Sequence, residues 1–343
     1  MLIGAWLLYK TILVVVVFAV SLGVAAYSTY GERKFAAFLQ DRVGPDRAGP
    51  FGILQPLADG LKMIMKEEFI PGMSNKFLFI LGPSLFLLTA CMTGVVIPWG
   101  RPLTINGVEY PLYITDINIG ILYVFGVVSI GVYGIMIGGW ASNNKYALLG
   151  SLRASSQMIS YEIAMGLAII ALIMTSGTLS VAEIVRQQES VWNIVYQPLG
   201  FLIFIICAFA ETNRAPFDLP ECESELVGGY HTEYSSMKLG FFLFAEYINM
   251  FISSALISSL YFGGYNFPFQ HALGLSGNWL SIASILFFLV KVFFFIMFFM
   301  WVRWTLPRFR YDQLMNLGWK VLLPLALLNI ILTGFVMWGM GKI

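Results

Sequence analysis

Six carboxylates and one arginine crowd a short segment of this chain, ETNRAPFDLPECESELVGGYHTEY at 211–234. The carboxylates belong to Glu211, Asp218, Glu221, Glu223, Glu225 and Glu233. Carboxylates this close together cannot all ionise at their ordinary pKa values, so some must hold protons or bind cations. The pattern predicts an acidic loop that collects or relays protons, with Arg214 holding it together. A solvated acidic loop without such a role is the alternative.

Four further ionisable residues interrupt or border apolar stretches. Glu162 lies within SSQMISYEIAMGLAI, Glu246 within FFLFAEYINMF, Lys291 between FFLV and VFFF, and Glu32 at the end of the first apolar run. An ionisable group at the centre of a membrane helix costs about 2.5–3.5 kcal/mol, so such groups normally face a polar interior and have partners. One interpretation is a structural ion pair, for example of Lys291 with Glu162 or Glu246. The other is a proton path that continues from the acidic loop.

The segment 31–76 contains an amphipathic pattern. GPDRAGPFG at 44–52 is rich in turn residues. Apolar residues then recur at helical spacing over 54–67, whereas Asp59, Lys62 and Lys66 fall off that stripe. A helix of this kind is expected to lie flat at the bilayer surface. It is either an anchor or a lip at which a lipid-soluble molecule leaves the membrane.

The composition identifies an integral membrane protein. The 343 residues are 58% hydrophobic and only 11% charged, with a mean hydropathy of +0.78, whereas soluble domains are about 25% charged. Cys91, Cys207 and Cys222 lack the spacing of a disulfide framework or an iron–sulfur site. Neither His231 nor His271 lies in an apolar span, which excludes a haem held between two such histidines. We therefore expect no redox cofactor and no metal on this chain.

The elements that must position these groups are helices. About 20 apolar residues cross a bilayer, and eight stretches qualify: approximately 5–29, 77–97, 119–140, 158–176, 199–212, 239–262, 283–305 and 320–340. The predicted fold is all-α, a single membrane domain over 1–343 with an amphipathic helix at about 54–67 and an acidic loop at 211–237. The first run is too long for a signal-peptide core and is expected to be retained.

Two smaller patterns are structural. Gly134 and Gly138 have the small-xxx-small spacing of closely packed helices. RPLTINGVEYPL places Asn-Gly between two short alternating runs, which predicts a β-hairpin.

The basic residues set the orientation. The odd-numbered connections hold 15 Lys and Arg, whereas the even-numbered connections and the termini together hold 4. The odd connections, including the acidic loop, are therefore expected in the cytoplasm and both termini in the periplasm. We see no transit segment, which favours the inner membrane of a bacterial cell.

Four segments of this chain resemble one protein family. They are GERKFAAFLQDRVGPDRAGPFGILQPLADGLKMIMKE, RASSQMISYEIAMGL, ETNRAPFDLPECESELVGGYHTEY and WVRWTLPRFRYDQLMNLGWK. All four look like the cytoplasmic loops of one membrane subunit of the proton-pumping NADH:quinone oxidoreductase, respiratory complex I. This is the H subunit of the bacterial enzyme, the equivalent of the mitochondrially encoded subunit one. The resemblance covers the chain nearly end to end.

The resemblance implies a subunit of a translocating enzyme. It would line the tunnel by which quinone reaches its reduction site and couple quinone reduction to proton translocation. Residues near the tunnel would be Glu32, Arg33, Phe35, Asp59, Lys62, Arg214 and Phe217. The proton path would comprise Glu162, Glu211, Asp218, Glu221, Glu223, Glu225 and Glu246. No residue of this chain is implied to be catalytic.

The resemblance also implies partners. Peripheral subunits would dock on the cytoplasmic loops and carry FMN and iron–sulfur clusters, and small and antiporter-like membrane subunits would lie laterally. The substrate would be a quinone, ubiquinone or menaquinone, and nucleic acid is not implied. Two other functions remain open: the matching subunit of an energy-converting hydrogenase, and a stand-alone secondary transporter.

Overall fold

Backbone N–H and C=O groups in hydrocarbon must be satisfied within their own segment, so long apolar stretches form helices. In the computed structural model, which describes residues 2–105, 107–219, 226–268, 270 and 277–341, almost every regular element is helical. In chain order these elements are α1 (Leu2–Leu39), α2 (Gln55–Met65), α3 (Lys76–Thr93), β1 (Leu103–Ile105), β2 (Val108–Tyr110), α4 (Gly120–Ala141), α5 (Lys145–Ser176), α6 (Val181–Gln187), α7 (Asn193–Tyr196), α8 (Pro198–Glu211), α9 (Ser236–Tyr261), α10 (Asn278–Thr305), α11 (Tyr311–Asn316) and α12 (Leu323–Gly339), with a π-helical segment (Leu317–Leu322) joining the last two.

Seven helical segments among the described residues are long and apolar enough to cross a membrane. They are α1, α3, α4, α5, α9, α10 and the continuous run from α11 to α12. The sequence predicted eight spans, and the stretch at 199–212 is the difference. It forms the short apolar helix α8, whose 14 residues extend about 21 Å, less than the roughly 30 Å of a hydrocarbon core.

Two helices extend well beyond their apolar stretches. Helix α1 continues to Leu39, so Glu32 lies inside the helix rather than at its end. Helix α5 begins at Lys145, after Asn144, whose side chain accepts a hydrogen bond from the Tyr146 amide. Its polar first half is buried within the fold: Ser151, Ser155 and Gln157 are at most 5% exposed. A hydropathy window misses such residues because they face the protein rather than lipid.

Glycines bring α3 and α4 into backbone contact. A Cβ atom added to Gly82 would lie 2.7 Å from the Cα of Gly138, and one added to Gly134 would lie 2.9 Å from the backbone nitrogen of Phe86. The predicted close packing at Gly134 and Gly138 is therefore present. Helix α9 packs beside this pair and has the most buried apolar span among the described residues, whereas α1 has the most exposed.

The predicted hairpin is also present. Strands β1 and β2 pair antiparallel with Leu103 opposite Tyr110 and Ile105 opposite Val108. Gly107 has a φ of +78°, a left-handed conformation that glycine adopts without strain. Asn106 lies outside the described residues.

Helix α2 does not bury its apolar stripe against the rest of the chain. Leu57, Leu61 and Ile64 are each about 60% exposed. The opposite face, which includes Asp59 and Met63, borders a cavity shared with α1 and α9. The apolar stripe is thus left for lipid or for another protein.

Candidate functional site

A buried charged cluster joins α1 to the acidic loop. The Glu32 carboxylate accepts from Arg214 Nη1 at 3.0 Å, from Arg303 Nη1 at 2.5 Å and from the Tyr247 hydroxyl at 2.8 Å. Glu32 and Arg214 are only 5% and 4% exposed. The sequence predicted that Arg214 holds its own loop together, but here it pairs with a helix that lies far away in the chain.

Arg214 keeps its charge in this cluster. Burial would lower the pKa of its guanidinium, but Tyr247, Glu32 and Glu246 more than offset that effect, so the pKa is raised overall. The guanidinium carbon lies 4.0 Å from the centre of the Tyr247 ring, within the range of a cation–π contact. Arg214 Nε and Nη2 are buried without a hydrogen-bond acceptor among the described residues. The cluster can therefore accommodate a further acceptor.

A cavity adjoins this cluster. It has a volume of about 140 Å³ and lies between α1, α2 and α9. Its walls carry mainly apolar and small groups together with a few polar side chains: Ala26, Thr29, Arg33, Pro56, Asp59, Gly60, Lys62, Met63, Gly240, Leu243, Phe244 and Tyr247. Tyr247 thus faces the cavity and also donates to Glu32. The site can admit an apolar molecule beside a buried ion cluster.

The structure brings most of the tunnel residues expected from the sequence to this region. Arg33 and Asp59 form an ion pair at 2.7 Å, and Lys62 lines the same cavity with its side chain open to the outside. Phe35 packs against the core instead. Phe217 lies elsewhere, with its ring 5.5 Å from that of Tyr161 and 5.6 Å from that of Phe309.

The described part of the acidic loop is not solvated. Every residue from 212 to 219 is buried. The loop docks on the connection after α10, since Arg308 donates to Asp218 at 3.0 Å and the Phe309 amide donates to the Pro216 carbonyl at 3.1 Å. Within 212–219 the alternative of a solvated charge run is therefore wrong. Glu221, Glu223 and Glu225 lie outside the described residues.

Glu246 lies behind the charged cluster. It is 5% exposed, and its carboxylate accepts a 2.6 Å hydrogen bond from the Tyr230 hydroxyl. Tyr230 is itself fully buried and follows directly after the acidic loop. A hydroxyl–carboxylate pair of this length is a charge-assisted hydrogen bond whose strength depends on the protonation state of the carboxyl.

Two more of the predicted carboxylates lie near each other. Glu162 of α5 accepts a short hydrogen bond from Ser129 of α4, and it is close enough to Glu211 for the two charges to repel. Glu211 and Asn249 border two small adjacent cavities, of about 30 and 10 Å³. The larger has room for water, since a water needs about 10–15 Å³. These two carboxylates can therefore exchange protons through water.

Lys291 makes neither of the ion pairs considered from the sequence. Its ammonium donates to the backbone carbonyls of Phe262, Gly264 and Asn266, and it lies 4.8 Å from the centre of the Trp192 ring. These carbonyls follow the end of α9, where no helical N–H reaches them. Lys291 thus supports a turn at the end of the bundle opposite the acidic loop.

Sequence reasoning missed the partners of the acids. Arg303 and Arg308 had been noted only as positive charges in a loop, and Tyr230, Tyr247 and Ser129 had not been singled out. A tyrosine directly after Glu246 and arginines just beyond an apolar span are weak signals. Only the fold shows that they reach Glu32, Asp218 and Glu246.

Comparisons with known proteins place the chain in a family. A model of the family described as NADH dehydrogenase matches residues 11–334. A first H subunit of NADH-quinone oxidoreductase from Cytophaga hutchinsonii is 69% identical over 330 residues, which cover 96% of each chain. The H subunit from Flavobacterium johnsoniae is 61% identical, covering 97% of this chain and 96% of the relative, and a first H subunit from Geobacter metallireducens is 49% identical, covering 94% and 95%. This chain therefore belongs to the NADH dehydrogenase family, among relatives named as the H subunit of NADH-quinone oxidoreductase.

Proposed function

We propose that the chain is the membrane subunit of an NADH:quinone oxidoreductase that guides quinone to its reduction site and passes the resulting charge change to proton-translocating groups. The observation that carries the proposal is the contact between the cavity of α1, α2 and α9 and the buried cluster of Glu32, Arg214 and Tyr247. An apolar path and an ion cluster share one residue, Tyr247.

The cavity suits a quinone tail in transit. Its walls are mainly apolar, as ligand sites usually are, and α2 presents an apolar stripe outward next to it. A helix with such a stripe would rest on the bilayer surface and open the cavity to lipid. Arg33, Asp59 and Lys62 would then mark the mouth, where the quinone leaves hydrocarbon for a polar environment.

The coupling would run through side chains already in contact. Quinone reduction consumes protons and changes charge beside Tyr247 and Glu32. Arg214 links this change to Glu246, since both carboxylates act on the guanidinium. Glu162 and Glu211 would continue the path through the small cavities at Asn249.

The magnitudes are compatible with this path. Moving one charge across 100 mV costs about 2.3 kcal/mol. A change of one pKa unit in a coupled group is worth about 1.4 kcal/mol. Two or three such changes are therefore enough to matter.

Electrons would come from partner subunits that hold FMN and iron–sulfur clusters, with quinone as the substrate. Peripheral partners would dock on the connections that carry α2, the acidic loop and the segment 306–310, and other membrane subunits would lie laterally. With the orientation that the basic residues indicate, these connections face the cytoplasm and both termini the periplasm. Helix α8 would complete an eighth crossing together with α7 and the buried loop 212–219.

The hydrogenase and transporter alternatives are less well supported. The similar relatives cited above carry the name NADH-quinone oxidoreductase, and an apolar access path has no role in hydrogen chemistry. A transporter commonly has repeats around a midplane site, and the sequence has none that we detect. A purified complex with a nickel–iron site and no quinone activity would favour the hydrogenase.

The access path can be tested by narrowing it. Gly240 lines the cavity, and a Cβ added there meets no atom within 4 Å, so Gly240→Leu adds bulk without a backbone clash. We expect the KM for a long-tailed quinone to rise about tenfold, equivalent to about 1.4 kcal/mol. NADH oxidation by an artificial acceptor at the flavin should not change.

Gly126→Leu is the matched control, because Gly126 lies in α4 away from the cavity and is equally free of neighbours. The access path is wrong if both variants show the same quinone kinetics in complexes of normal subunit content.

A further inference from the structure

The largest described cavity lies at the end of the bundle away from the acidic loop. It has a volume of about 540 Å³, within the usual range of about 300–1,000 Å³ for ligand sites. It is bounded by the end of α5, the connection through α6 and α7, the start of α8 and the second half of α12. Nothing in the quinone or proton path uses it.

Its lining is neutral and divided into two parts. Amides and hydroxyls form one part: Thr175, Ser176, Gln187, Ser190, Asn193, Gln197, Asn329 and Thr333. The other part is apolar and flexible: Leu199, Leu332, Val336, Met337 and Met340, with Val191 and Tyr196 at the edge. Every residue that lines the cavity is uncharged. The lining matches a molecule with hydrogen-bond acceptors at one end and a hydrocarbon chain at the other.

The polar part is built before any ligand arrives. Asn329 Nδ2 donates to Gln197 Oε1 at 3.1 Å, and Gln197 Nε2 donates to Thr333 Oγ1 at 2.9 Å. Gln197 and Asn329 are 3% and 5% exposed, so their rotamers are fixed by packing. A side-chain amide has two N–H groups, and among the described residues each of these uses only one. Two oriented donors therefore remain for acceptor oxygens.

The level of the cavity fits a membrane interface. Ser176 is the last residue of α5, and Pro198 is the first of α8. Tyr196, 58% exposed at the rim, is the kind of amphipathic ring that is enriched where hydrocarbon meets headgroups. Ester carbonyls of a phospholipid lie at this level, with their acyl chains extending toward the bilayer centre.

The rim argues against a transmembrane helix as the occupant. Helices in membranes associate through small residues that let backbones approach. Here the rim carries large flexible side chains, and Leu332, Val336 and Met340 are each at least half exposed. Methionines of this kind adapt to irregular, mobile chains. They suit an acyl chain better than a fixed helical surface.

We propose that this cavity binds one diacyl phospholipid from the adjacent leaflet. Its glycerol-ester oxygens accept from the amides of Gln197 and Asn329, and one acyl chain lies along α12 against Leu332, Val336 and Met337. The uncharged lining selects for the ester region rather than for an anionic headgroup. The proposal does not depend on the quinone path at the other end of the molecule.

The occupant can be identified by photocrosslinking in the purified whole complex. Benzoylphenylalanine in place of Leu332 points into the cavity from its rim, and the same residue in place of Phe335, 64% exposed on the same helix, lies outside the cavity and is the control. After detergent exchange and illumination, we expect phospholipid adducts at 332 about fivefold above those at 335, the retention gained from roughly one net hydrogen bond. A quinone adduct, a peptide of another subunit, or equal adducts at both positions would overturn the proposal.

A second variant tests occupancy without a photoreactive group. Met337→Trp fills the apolar part of the cavity, whereas Phe335→Trp adds a similar bulk outside it. Lipid analysis by mass spectrometry should find one phospholipid fewer per complex for Met337→Trp alone. An unchanged lipid content in a complex whose subunits are all present contradicts the site.

Discussion

Arg214 Nη1 lies 3.0 Å from Glu32 Oε2, although the two residues are 182 positions apart in the chain. Their side chains are only 5% and 7% exposed. This pair joins the wall of the apolar cavity, through α1, to the start of the acidic loop. A charge that develops in the cavity is therefore felt by a loop that no quinone needs to touch.

The ion cluster has an unequal division of roles, which gives a prediction. Among the described residues, Glu32 is the single carboxylate bound by both Arg214 and Arg303, so Glu32→Gln leaves two guanidiniums beside a neutral amide. Removing one partner of a buried pair costs about 3–5 kcal/mol. Arg303 is 27% exposed, so Arg303→Met should cost only about 1 kcal/mol, as for a solvent-screened pair.

Heat inactivation of NADH:quinone activity in the purified complex measures this order. Glu32→Gln should inactivate at the lowest temperature, Arg214→Met next and Arg303→Met close to the unmodified complex. Arg214→Met is intermediate because Glu32 keeps Arg303. If Arg303→Met were the most damaging, the cluster would be centred on the wrong residue.

Lys291 offers a prediction that separates a structural role from a proton path. Its ammonium binds three carbonyls at 262–266, so Lys291→Met leaves these acceptors unsatisfied, at about 1–3 kcal/mol for each group that remains buried. We expect faster amide hydrogen exchange at residues 262–268, with little change in the number of protons pumped per NADH.

Lys291→Gln is the matched control, since its amide retains two donors and should restore part of the protection. Reduced pumping with unchanged hydrogen exchange would instead assign Lys291 to the proton path and remove it from the turn.

The spans and the hairpin follow from sequence because local physics sets them. Apolar runs of sufficient length must form helices in lipid, and Asn-Gly between short alternating runs favours a tight turn. The start of α5 at Lys145 could not be read in this way. Its serines and Gln157 are buried against other helices, so their polarity reports tertiary packing rather than a helix end.

The site was predictable only in its residue types. Crowded carboxylates and Arg214 stood out in the sequence, but the choice of partner is a long-range property. Arg214 pairs with Glu32 of α1, and Asp218 with Arg308 of the last connection. Helix α2 shows the same limit. Spacing predicted its stripe, but the outward direction of Leu57 depends on which helices occupy the other side.

The hydrogen bond between Tyr230 and Glu246 gives the last prediction. Glu246→Gln keeps the side-chain shape and the oxygen that accepts from Tyr230 at 2.6 Å, but it removes the ability to titrate. Assembly should remain normal, whereas NADH:quinone turnover and pumping should both fall by about 10²-fold or more if the group transfers a proton. Tyr230→Phe should keep the titrating carboxyl and lose one charged hydrogen bond of about 1.5–3 kcal/mol, so its pumping should fall less and its pH profile should shift. Proton pumping per NADH in reconstituted vesicles, measured across pH, separates the two variants. Normal pumping by Glu246→Gln would exclude this carboxyl from the path, and the buried pair would then serve only to hold the end of the acidic loop against α9.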